Sequence, residues 1–271
     1  MARKISSSLG MFGAAAVALI GGLAFWLADP SVESRAAGRM ASPLQLAAES
    51  DSGRPVVVEL FTSQGCSSCP PADNLLGELA GLPGVLALSF HVDYWDYIGW
   101  KDPFAAAQYT ERQRDYAAKL GLRYVYTPQI VVDGRHDVVG SKRREVALAI
   151  EEAAKALPAL TVEFNEEDGG RVMLSAGEAP EGGATVWLVT FDDAHLTAVA
   201  RGENGGLALT NSNVVRELTP LGTWTGEAKA FAVDLAAARA KGRGGCAVLV
   251  QQGRGGPILG AALFDLDGAS G

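Results

Sequence analysis

The sequence predicts an α/β domain followed by an all-β, sandwich-like domain. Three observations carry that expectation. Across residues 54–157, apolar β-branched runs alternate with helical patterns in the order β-α-β-α-β-β-α. Beyond Pro158 the helical patterns give way to a series of short strand-type runs. Paired glycines separate those runs, at Gly169-Gly170, Gly182-Gly183, Gly205-Gly206, Gly244-Gly245 and Gly255-Gly256, as turns separate antiparallel strands.

Each element follows from its own residues. "PVVVELF" (Pro55 to Phe61) is a continuous apolar run broken only by Glu59, the pattern of a buried central strand. Asn74 to Leu82 has helical spacing and stops at Pro83-Gly84. "VLALSFHV" (Val85 to Val92) is the next strand and completes a parallel β-α-β unit. Pro103 to Leu120 is a longer helix, with proline in its first turn and Gly121 as its stop. "QIVV" and "HDVV" flank Asp133-Gly134, a hairpin signal. Lys142 to Leu157 is the last helix, ended by Pro158. In residues 158–271 the strand-type runs are "LTVEFN", "RVMLSA", "ATVWLVTFD", "LTAVARG", "NVVRELTPLG", "KAFAVDL", "CAVLVQQ" and "PILGAALF".

Composition sets outer bounds. With 271 residues, 48% hydrophobic and 20% charged, the chain has enough apolar surface to bury a core. A net charge of -8 and no basic run after the N-terminus argue against nucleic acid as a partner. Arg3 and Lys4 precede an uncharged stretch from Ile5 to Ala28, the pattern of an export signal. Its core, residues 9–28, matches the roughly 20 residues that span a bilayer. Residues 1–28 are therefore a signal peptide, cut near Ala24 or Ala36, or an N-terminal membrane anchor. Residues 29–53 have no sustained period and read as a linker. Either reading places the folded part outside the cytoplasm, in a periplasmic or other extracytoplasmic space, tethered to the inner membrane if the anchor stays.

"FTSQGCSSCPPAD" (Phe61 to Asp73) puts Cys66 and Cys69 between the first strand and the first helix. Three chemistries suit such a pair. A helix start favours thiolate, so Cys66 has the setting of a redox nucleophile and Cys69 lies one turn on, within reach to resolve a mixed disulfide. A structural disulfide closing so small a loop would remove little chain entropy. A metal needs more donors than the sequence groups together: zinc would want a second Cys-x-x-Cys, and copper nearby His or Met. No metal and no other cofactor is expected.

Cys66, Cys69 and the Thr127-Pro128 pair before a hairpin strand fall where thioredoxins keep two cysteines and a cis-proline, and the layout resembles that superfamily. The chain is also similar to a bacterial family of exported proteins, the domain of unknown function numbered 1223. The stretches that carry this match are "ELFTSQGCSSCPPAD", "HVDYWDYIGWKDPF", "YTPQIVVDG", "RGENGG" and "NVVREL". The resemblance implies a thioredoxin-like first domain and thiol–disulfide exchange with protein thiols, protein disulfides or small thiols. Cys66 would be the nucleophile, Cys69 the resolving thiol and Pro128 the residue that presents a partner's backbone. Glu59 would be the buried acid that accepts a proton from the second cysteine. Two departures stand out: Gly65 replaces the usual tryptophan, and Ser67-Ser68 fills the space between the cysteines.

Tyr94, Trp95, Tyr97 and Trp100 follow the second strand, and with Thr127 they would wall a substrate groove or pack against the second domain. His91, Asp93 and Asp96 are expected to hydrogen-bond that loop more readily than to ligate metal. Cys246 opens an apolar run and is expected in the core. Arg201, Glu203, Asn204, Asn213 and Arg216 form a polar group near a Gly-Gly turn, where turn hydrogen bonds account for them. The β domain is expected to stand beside the redox edge and restrict access without touching it, so that the first domain alone would reduce a small disulfide. A rival reading from another class is a binding module whose disulfide is only structural.

Overall fold

The apolar run around Glu59 becomes β1 (Val56–Thr62), with every residue buried. The computed structural model describes residues 54–165 and 170–266, so the expected export segment, the expected linker and Gly169 lie outside the described residues. β1 pairs in parallel with β2 (Val85–His91), from Val56↔Val85 to Thr62↔His91. Between them runs α1 (Pro70–Ala80). It starts earlier than the spacing predicts because Pro70 and Pro71 need no N–H in a first turn. α2 (Ala107–Leu120) ends at Gly121, whose φ of 70° closes the helix. β3 (Gln129–Val132) lies antiparallel to β1 on its other side and pairs with β4 (His136–Val139), and α3 (Arg143–Ala154) follows. The buried Asp133 carboxylate fixes the β3–β4 turn by accepting from Val57 N (2.9 Å) and from both terminal nitrogens of Arg54.

The expected thioredoxin-like α/β domain followed by a separate, sandwich-like all-β domain is corrected by the strand order. β5 (Val162–Asn165), β6 (Arg171–Leu174) and β9 (Lys229–Ala232) form a small sheet of three strands. β7 (Ala184–Ala198), β8 (Ala208–Trp224), β10 (Gly245–Gln252) and β11 (Ile258–Asp265) instead join the strands of the first half. The result is one mixed eight-stranded sheet in the order β11-β10-β7-β8-β2-β1-β3-β4. The junction is a parallel pairing of β2 with β8 at Ser89↔Val214. The expected short strand "ATVWLVTFD" and the first three residues of "LTAVARG" are continuous in β7, and "KAFAVDL" runs into a helix, α4 (Leu235–Ala240), capped by the Asp234 carboxylate on Ala237 N.

Alternation along β1 sends its side chains into two cores. Val56, Val58 and Leu60 pack with α1 and α3. Val57 and Phe61 pack with α2 and with Val189, Val215, Ala247, Leu249 and Ile258 from the second half. The large sheet therefore curls until strands of the two halves face one another across a common apolar layer. A third core, with Trp224, Val248 and the buried Cys246, lies beneath the small sheet. Burial pushes the Cys246 thiol up to about 12, as expected of an inert core cysteine.

Candidate functional site

The Cys-x-x-Cys segment leaves β1 and turns into α1. Cys69 is the residue before the helix, and Cys66 lies one tight turn earlier, with Cys69 N donating to Cys66 O at 3.1 Å. The two cysteines form a disulfide with Cα atoms 5.5 Å apart. The Cys66 sulfur also lies 3.3 Å from Ser68 Oγ. The Thr127–Pro128 peptide is cis, and Pro128 borders Gly140 together with Ala72 of α1, which brings this loop to the cysteine end of the helix.

The aromatic loop serves as packing as well as wall. Trp95 Nε1 donates to Thr127 Oγ1 at 2.8 Å, Trp100 Nε1 to Gln64 Oε1 at 3.2 Å and Tyr94 OH to Gln113 Oε1 at 3.2 Å. Tyr97 alone of the four points out, at 83% exposure. A Cβ on residue 65 would sit 3.2 Å from Ile98 and 3.3 Å from Trp95, so glycine precedes Cys66 because this loop occupies the space a side chain would need.

Glu59 is fully buried but turns away from the cysteines. It shares the β1 face of Val57 and Phe61, where Arg112 Nε donates to Oε1 at 2.7 Å and Tyr116 OH donates to Oε2. Arg112 is in turn held by Gln251 Oε1 and by Tyr116. This triad joins β1, α2 and β10.

A different acid lies one helical turn after Cys69, with Asp73 N donating to Cys69 O at 3.1 Å. Asp73, on the first turn of α1, is buried, accepts from Thr62 Oγ1 at 2.8 Å and leaves Oδ2 without a hydrogen-bond partner. Burial pushes its carboxyl up to about 6, with His91, the Thr62 hydroxyl and the neighbouring Asn211 amide pulling the other way. Next to it, His91 Nδ1 meets Asp102 Oδ2 at 2.7 Å, and His91 Nε2 is buried without a partner. Burial works against the Asp102 charge, yet His91 and the N–H groups of Gln64 and Phe104 hold its carboxyl below the usual range. Gln64 Nε2 then reaches Asn211 Oδ1 of β8 at 3.0 Å. Asp73, Gln64, Asp102 and Asn211 escaped notice in the sequence. The only available signal for Asp73 is its place four residues after Cys69. Among the described residues no group of His, Cys, Asp and Glu is arranged to hold a metal ion.

The second half does touch the cysteine segment, against expectation. The loop between β7 and β8 lies over it. Asn204 Nδ2 donates to both Gln64 O and Cys66 O at 2.9 Å, and Glu203 Oε2 accepts from Ser67 N at 3.0 Å. That amide holds the Glu203 carboxyl below its ordinary range. Gly202, at φ 79°, packs on Trp100 and Ile98. Under this cover Cys66 and Cys69 are both 0% exposed. Arg216 lies elsewhere, on Asp192 with His195 and Arg243, and Asn213 donates to Ala87 O.

Fold and site together define a mixed α/β protein with a disulfide-bonded Cys-x-x-Cys at a strand-to-helix junction. The chain belongs to the family described as proteins of unknown function, DUF1223, whose pattern matches residues 57–251. It is 31% identical to the protein AGR_C_4864 from Agrobacterium tumefaciens, whose crystal structure superposes with a TM-score of 0.70 over 79% of this chain and 96% of that one. HBP35 of Porphyromonas gingivalis shares the fold at 14% identity, with a TM-score of 0.54 over 82% of this chain and 78% of that one. No curated protein matches the chain.

Proposed function

We propose that this protein is a thiol–disulfide oxidoreductase of the thioredoxin-fold superfamily that works outside the cytoplasm. The observation that carries the reading is the Cys66–Cys69 disulfide at the entry to α1, with the cis Thr127–Pro128 loop at the same end of that helix. Cys66 is the nucleophile toward a partner disulfide and Cys69 resolves the mixed disulfide. Pro128 and Thr127 present a backbone edge for the partner, with Trp95 fixing Thr127. The partners are protein thiols, protein disulfides or small thiols. The charged start and uncharged stretch of residues 1–28 support export, by a cleaved signal or a retained anchor.

The full covering of both sulfurs favours a second reading, a ligand- or protein-binding module whose disulfide is structural. Turnover separates the two. The oxidoreductase, supplied with dithiothreitol, accelerates reduction of a peptide disulfide catalytically, and Cys66→Ser abolishes the acceleration. A wild-type protein no faster than dithiothreitol alone would establish the binding module instead.

A further inference from the structure

We propose that Asp73 takes the proton of the Cys69 thiol during exchange, in the role the superfamily resemblance would give to Glu59, with Thr62, His91, Asp102 and Asn211 fixing its carboxyl. The inference rests on the thiol–disulfide reading above and names the acid–base residue of that same site.

The geometry begins with the helix. Asp73 N donates to Cys69 O at 3.1 Å, the first four-residue bond of α1, so the two side chains lie one turn apart on one face. The next residue on that face is Gly77, where a Cβ would stand 3.0 Å from Ser212 Oγ of β8. The face thus looks into the polar seam between β2 and β8. Cys69 is 0% and Asp73 4% exposed, so water has little access to either.

The second observation is the unpaired oxygen. Asp73 Oδ1 takes the Thr62 hydroxyl, while Oδ2 is buried without a hydrogen bond, the nearby Asn211 Nδ2 being likewise unpaired. An unpaired buried oxygen is costly to keep. In the oxidised pair there is no thiol proton for it, and reduction creates one on Cys69. Glu59 offers no such vacancy, since Arg112 and Tyr116 occupy both its oxygens on the far face of β1.

The groups facing Asp73 are Thr62 from β1, His91 from β2, Asp102 behind that histidine, and Asn211 from β8. Burial and Asp102 favour the protonated carboxyl, while His91, Thr62 and Asn211 favour the ionised one. Their balance leaves the group titrating at about 6, close enough to neutrality to take up and return a proton.

The Cys66 thiolate attacks a partner disulfide, breaking it and releasing one partner thiolate. Cys69 then gives its proton to Asp73, and its sulfur attacks Cys66 Sγ. The Cys66–Cys69 bond forms as the mixed disulfide breaks, and the second partner sulfur leaves, taking the proton from Asp73. Two electrons pass from the cysteine pair to the partner disulfide.

The test uses the full reduced chain with oxidised glutathione, following the glutathione adduct at Cys66 by acid quench and mass spectrometry. In the wild type, closure of the adduct speeds up as pH rises through about 6 and then levels. In Asp73→Asn the adduct accumulates, closure at neutral pH falls about 100-fold, and the inflection disappears. Asp73→Glu restores the inflection in part. An unchanged pH profile and closure rate in Asp73→Asn would overturn the proposal. Should that variant not fold, infrared difference spectra of the wild type near pH 6 decide. A carboxyl C=O band that changes between reduced and oxidised protein is expected, and its absence overturns the assignment. A wild-type protein that never forms the adduct removes the underlying reading and this inference together, a result distinct from normal turnover with an indifferent Asp73.

Discussion

At Asp73 the chain keeps a carboxyl where burial works against its charged form, and the sign of the effect on stability follows. The folded value is about 6 against an ordinary 3.8, so the native state binds the extra proton between those limits. Stability therefore falls as pH rises from about 4 to about 6 and stays reduced above that range. A shift of that size corresponds to roughly 3 kcal/mol. Asp73→Asn should stabilise the oxidised protein against urea by about 1–3 kcal/mol at neutral pH, with the gain fading toward pH 4. Equal stability at both pH values would remove the burial argument. Glu59 is the opposite case: Glu59→Gln leaves the buried Arg112 guanidinium without its counter-charge and should cost about 3–5 kcal/mol in the same measurement. The cysteine pair was legible from its spacing, and the cis-proline from the resemblance to thioredoxins. Asp73 was not, because an acid in the first turn of a helix ordinarily indicates a solvated dipole partner. What buries it are Thr62, His91 and Asn211, the last from a strand far along the chain.

Among the elements, the β7–β8 loop has the most direct hold on the cysteine segment. Asn204 satisfies two carbonyls of the cysteine segment, and the Glu203 carboxylate sits on the Ser67 amide. Asn204→Ala leaves those carbonyls to water and should loosen the cover by about 1–3 kcal/mol. Reduction of Cys66–Cys69 by dithiothreitol, followed by alkylation and mass spectrometry, is then expected to speed up about tenfold or more. An unchanged rate would mean that the loop does not control access. The strands of the first half were legible because each is an apolar run bounded by proline, glycine or a helix pattern. The length of β7 and β8 was not: polar residues at Asp192 and Asp193 look like a strand end. Asp192 is instead neutralised within the sheet by Arg216, Arg243 and His195.

For the whole molecule, the shared apolar layer decides what can stand alone. Phe61, Leu86, Leu88 and Phe90 from the first half are covered by Val189, Val215, Ala247 and Leu249 from the second. Each fully buried side chain of this kind contributes about 1.5–3 kcal/mol, so uncovering four would exceed the net stability of most domains. A fragment of residues 54–157 should therefore show no cooperative unfolding by circular dichroism, rather than survive as an independent reductase. A fragment that folds and melts cooperatively would contradict the single-sheet account. No local pattern announces this union, since the pairing of Ser89 with Val214 joins residues widely separated in the chain.

Whether Cys66–Cys69 exchanges electrons with partners is decided by its reduction potential. The full chain is equilibrated in graded dithiothreitol buffers and the fraction reduced is read by alkylation. A working exchange pair gives a midpoint between about -270 and -120 mV, the range of dithiol catalysts. A midpoint below about -300 mV would mark a structural disulfide and contradict the exchange reading.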